Sequence, residues 1–118
     1  MPDAAAFAER VRALALSFPQ AYEDAPWGHP AFKVADNRLF ALMSVDERSL
    51  RLTVKLTPEE REMAYLFPFV RRASHVGRYG WVTVVVSDDD SLALALEWLR
   101  ESYWLKAPAA LRVAVEGD

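Results

Sequence analysis

The chain has 118 residues, 53% apolar and 26% charged, with a formal net charge of −3 and no cysteine. That is the size and composition of one globular domain, residues 1–118, and it excludes a disordered chain, a disulfide scaffold, a thiolate nucleophile and any cysteine-held metal. The start Met1-Pro2-Asp3 lacks the basic and apolar stretches of a secretion signal, and runs such as Val82–Val86 are far too short to span a bilayer. A cytoplasmic location without membrane contact is expected.

In chain order, Asp3 is placed to cap a first helix in which Phe7, Val11 and Leu14 recur on one face, ended by Pro19. The stretch from there to Leu56 reads as β-rich. Phe32 and Val34 alternate with Lys33, and Ala35-Asp36-Asn37 turns the chain into Leu39–Ser44. After a second turn at Asp46-Glu47, Ser49–Leu56 is the clearest strand. Leu50, Leu52, Val54 and Leu56 point one way, and Arg51, Thr53 and Lys55 the other.

Thr57-Pro58-Glu59-Glu60 starts a short helix, with Thr57 as cap and Glu60 completing a capping box. Val70–Ala73 and Trp81–Val86 read as strands around the turn Gly77-Arg78-Tyr79-Gly80. Ser87 with Asp90 marks the start of a final helix faced by Leu92, Leu96, Leu99 and Tyr103, and Pro108 closes it. The order α-β(3–4)-α-β(2)-α predicts a two-layer α+β fold, an antiparallel sheet with helices on one face. The other face is left as the working surface.

The acidic total argues against a generic nucleic-acid coat, but the charge is uneven. No acid occurs between Glu62 and Asp88, where Arg71, Arg72, His75 and Arg78 lie; Arg48, Arg51 and Lys55 occupy a second acid-free stretch. The two histidines, His29 and His75, fit no zinc-ligand spacing. Ser44, His29 and Asp46 could be imagined as a hydrolase triad, yet no Gly-x-Ser-x-Gly elbow presents a serine. Neither spacing of a phosphate-cradling glycine loop occurs. Glu23-Asp24 reads as a pair of solvated turn or strand carboxylates. No metal or cofactor is implied, and the chain is read as a protein without catalytic activity.

Two segments stand out. Gly77-Arg78-Tyr79-Gly80 has the spacing of an RNA-clamping GxxG loop, but sits between strands, where a glycine-bearing hairpin turn is the ordinary reading. Trp27-Gly28-His29-Pro30-Ala31-Phe32 is either a core-packing turn or the wall of a pocket formed by Trp27 and His29.

These segments, in their order, resemble the MmcQ/YjbR family of small bacterial domains. The matching residues are Trp27 to Val34, Leu39-Phe40-Ala41-Leu42, Arg51-Leu52-Thr53-Val54-Lys55, Gly77 to Val84, and Lys106-Ala107-Pro108. Many members carry a His-Met-Asn-Lys-like segment where this chain has His75-Val76-Gly77-Arg78. The resemblance implies an α+β fold similar to secretion chaperones and the bacterial frataxin, and a DNA-binding role. On that reading Lys33, Arg51, Lys55 and Arg78 meet phosphates, while Tyr79 and Trp81 stack or wedge. The alternative is a small-molecule or protein-binding domain with its site near Trp27 and His29.

Overall fold

The structure, a computed structural model, describes residues 3–25, 28–74 and 79–116. Helix α1 (Ala4–Ser17) starts where expected, the Asp3 carboxylate accepting the backbone N–H of Ala5. Its buried face is Phe7, Ala8, Val11 and Ala15. Strand β1 (Ala21–Asp24) follows, in the stretch read as β-rich, and brings the strands before α2 to four, within the expected three or four. It is a sheet edge with three of its four residues exposed, so it carries no apolar alternation to read.

Strands β2 (Ala31–Val34), β3 (Arg38–Val45) and β4 (Leu50–Lys55) make successive antiparallel hairpins. All four residues of β2 are buried, so the alternation expected around Lys33 is absent. Between β2 and β3 the register slips. Phe32 faces Ala41 while Lys33 faces Leu39, which leaves Phe40 as the extra residue of a bulge. The bulge lets Phe40 and Ala41 both be fully buried. Phe40 then packs edge-on against Tyr103, ring centroids 5.4 Å apart, and beside Phe18.

Helix α2 (Pro58–Ala64) begins at Thr57, whose hydroxyl accepts from the Glu60 N–H. The chain then forms β5 (Val70–Arg72) and β6 (Trp81–Val86), and β6 inserts between β4 and β5. The sheet order is β1-β2-β3-β4-β6-β5, antiparallel throughout. Helix α3 (Asp89–Lys106) is capped by Asp88, not Ser87. The Asp88 carboxylate accepts the N–H of Ser91, and the Ser91 hydroxyl accepts the N–H groups of Ser87 and Asp88. Pro108 ends α3, yet a further helix, α4 (Ala109–Glu116), follows it; proline suits the first turn of a helix as well as the end of one.

Helices α1 and α3 pack on one face of the sheet, over Leu50, Leu52 and Val54 of β4 and Val82, Val84 and Val86 of β6, all fully buried. Arg51 is exposed and Thr53 and Lys55 are half-buried on the reverse face, the register the alternation predicts. No helix among the described residues is long and apolar enough to cross a membrane.

Candidate functional site

The face of the sheet turned away from α1 and α3 carries hollows lined by residues of β3, β4, β6 and β5. Register fixes what meets there. Ser44 faces Arg51, Leu42 faces Thr53, Thr53 faces Thr83, and Thr83 faces Arg71. The Thr53 and Thr83 hydroxyls are hydrogen-bonded to each other at 2.8 Å, forming the groove floor between two arginines.

Two adjoining hollows share this floor. One, of about 280 Å³, runs from His29 over Leu42 and Ser44 to Arg51. The other, of about 360 Å³, continues past Thr53 and Thr83 to a wall formed by the chain from Arg71 to Ser74. Three arginines and three hydroxyl-bearing strand residues line this second hollow, and among the described residues no carboxylate does. Such a lining suits an anion. Arg51 is only weakly engaged by an acid. Among the described residues its one ion-pair partner is Asp46, 3.9 Å away, and both side chains are more than half exposed, so the pair is weak. Asp46 is held instead by the backbone N–H groups of Arg48 and Ser49, which lower its pKa more than Arg51 does.

The residues expected at the site divide. Arg51 lies in the groove, and His29, expected at a separate pocket, lines the same hollow as Arg51. Lys33 is a correction: it is only 8% exposed and its ammonium is paired with Asp24 at 3.0 Å, so it cannot reach a phosphate on the surface. Its hydrogen bond, with one from the Ala25 N–H, lowers the Asp24 pKa. Trp81 is the second correction. It is 8% exposed and so cannot stack on or wedge into a base. Lys55 is half-buried at the far end of β4, beyond the groove. Tyr79 is exposed at the turn beside Gly80. Trp27 and Arg78, with His75, lie outside the described residues.

Sequence reasoning missed Arg71, Arg72, Thr83 and Ser44 as site residues. The acid-free stretch contained the two arginines, but nothing local says that β6 inserts between β4 and β5. That insertion is what brings Thr83 against Thr53 and Arg71 against Thr83. Among the described residues no group of three His, Asp or Glu side chains is placed to hold a metal ion.

A crystal structure of Deinococcus radiodurans protein DR2400, described as a DUF419 domain, is similar at 27% identity, with a TM-score of 0.74. The match covers 92% of this chain and 87% of that one. A crystal structure of a protein from Pseudomonas syringae is similar at 17% identity, with a TM-score of 0.64, over 84% of this chain and 97% of that one; at that identity it shows the fold alone. No curated protein matches. The YjbR family pattern matches residues 16–105, most of the length, and takes in every strand of the sheet. The chain therefore belongs to the YjbR family.

Proposed function

We propose that this YjbR-family domain is a non-catalytic DNA-binding protein that holds phosphates on the open face of its sheet. One observation carries the reading: Arg51 and Arg71 flank a hydroxyl-lined groove whose wall includes Arg72, and among the described residues no carboxylate lines it. Guanidiniums and hydroxyls are the usual donors to backbone phosphates, and they position nucleic acid without reading its sequence. The formal charge of −3 opposes long-range attraction, so binding here depends on local contacts and is weak.

The test is a DNA titration at several salt concentrations with duplex and single-stranded oligonucleotides. Three phosphate contacts give a slope of log K against log salt of about −2 to −3. Absence of binding at low salt by the folded protein would remove the reading, as would binding indifferent to salt.

A second reading draws on His29. The hollow it shares with Arg51 has an apolar patch at Leu42 and a volume of about 280 Å³, suited to a small anionic ligand. Native mass spectrometry of the purified protein tests it, by looking for a retained small acid or phosphate.

A further inference from the structure

We propose that Arg38, Lys55 and Lys106 form a second, independent anion site at the end of the sheet, one that takes a phosphate dianion. The three residues come from β3, β4 and α3, and hydrogen bonds at this end of the sheet bring the Arg38 guanidinium and the main chains of Lys55 and Lys106 together. The Ser102 hydroxyl joins the strands to the helix, accepting from the Lys55 backbone N–H at 2.9 Å and donating to the Phe40 carbonyl at 2.6 Å. Lys106 lies one helical turn beyond Ser102 on the same face of α3. Arg38, two residues before Phe40, reaches the same turn and donates to the Lys106 carbonyl at 3.2 Å.

Among the described residues no carboxylate lies within ion-pair distance of any of the three cations. The Lys106 pKa is lowered, first by burial and then by the charges of Lys55 and Arg38, so the cluster repels itself. The C-terminus of α3 offsets part of this, but a helix end supplies only about half a negative charge against three full positive ones. Part of that half charge is already engaged, since Arg112 donates to the Ala107 and Leu105 carbonyls. A surplus of more than two positive charges remains, and a phosphate dianion matches it. The site stands apart from the groove: none of the three residues lines either hollow.

The test follows the lysine side-chain methylene signals of the full chain by NMR as inorganic phosphate is added above neutral pH, with sodium chloride as the control at matched ionic strength. Phosphate is expected to move Lys106 and Lys55 signals saturably and to raise the Lys106 pKa, while chloride is not. Lys106→Gln and Lys55→Gln should each weaken the association by about tenfold, equivalent to 1.4 kcal/mol, and Arg71→Gln in the groove should leave it unchanged. An oligonucleotide with and without a 5′-phosphate separates the two sources of such a group. Response to inorganic phosphate supports a free phosphate compound, and response only to the phosphorylated oligonucleotide supports a nucleic-acid end. No movement with any of these probes would overturn the proposal. So would equal movement with chloride, or an Arg71→Gln loss as large as that of Lys106→Gln. The titration of the unaltered protein keeps the test decisive even where a variant folds poorly.

Discussion

The hydroxyl of Ser102 stands in the sheet where Lys55 would otherwise bond to its neighbour. The β3–β4 ladder runs from Val45 and Leu50 to Ala41 and Val54 and then stops at the Phe40 bulge. One step on, the Lys55 N–H donates to the Ser102 oxygen, which donates in turn to the Phe40 carbonyl. Ser102 is fully buried, so no water stands ready to replace it. Ser102→Ala should leave both backbone groups unpaired, costing about 1–3 kcal/mol for each. Urea unfolding reads this directly, and an unchanged midpoint would mean that the bridge contributes nothing.

Gly80 is fixed by both conformation and space. Its φ is +94°, and a Cβ there would lie 2.6 Å from Arg61 Nη1. That guanidinium donates to the Leu56 carbonyl, and the Leu56 N–H donates to the Gly80 carbonyl, so moving Arg61 loosens the start of α2 from the turn before β6. Gly80→Ala is expected to cost about 1–3 kcal/mol. Gly28 also has positive φ, at +83°, but nothing lies within 4 Å of its would-be Cβ. Gly28→Ala should therefore cost less, about 1 kcal/mol. Paired thermal melts check the order, and equal costs would show that the Arg61 contact is immaterial.

Much of the framework was legible locally because it depends on short-range rules. The period-two alternation at Leu50–Lys55 placed the core face, and Asp3 and Thr57 announced their helices by side-chain caps. The one-residue error at α3 has a plain cause: Ser87 and Asp88 are both good caps, and the hydroxyl of Ser91 decides between them. The site was less legible. Arg51 was found from its strand face, but its partners Thr83 and Arg71 arrive through a sheet order that sequence does not state. Lys33 read as exposed because its neighbours alternate, and the bulge beside it cannot be seen without the pairing of β2 with β3.

Glu101 gives a pH-dependent prediction. It is half-buried beside α2, and its pKa is raised, first by burial and then by the charge of Glu60. A raised carboxyl holds its proton in the folded state where the unfolded chain has lost it. Stability attributable to it therefore falls as pH rises from the ordinary glutamate range through the folded pKa. Glu101→Gln should raise the melting temperature at neutral pH, with the gain vanishing below about pH 4 where both states are protonated. A gain of equal size at both pH values would assign the effect to packing.

The cations that face the groove differ from the one that does not in what their loss should change. Arg51 and Arg71 flank the threonine pair, and each should contribute one phosphate contact. Arg51→Gln and Arg71→Gln are each expected to flatten the salt slope by about 0.7–0.9 and to weaken binding alike across sequences, because phosphate contacts carry no base information. Arg51→Gln should change stability little, since the residue is exposed and its pair with Asp46 is loose, whereas Arg71→Gln also removes the bond that guanidinium donates to the Pro68 carbonyl. Lys33→Met should also change stability little, but for another reason. Methionine keeps the long apolar stem in a site that is nearly closed to solvent, and the carboxylate left without its partner, Asp24, is exposed and stays solvated, so the cost is small. The DNA salt slope should stay as it was. Asp24→Ala is the harsher change there, because it strands the Lys33 ammonium without its partner, and it should lower the melting temperature while leaving the slope intact. The family resemblance alone would place Lys33 with Arg51 among the phosphate contacts. A slope that falls with Lys33→Met as much as with Arg51→Gln would mean that Lys33 leaves Asp24 when DNA binds, and the groove would then extend to β2.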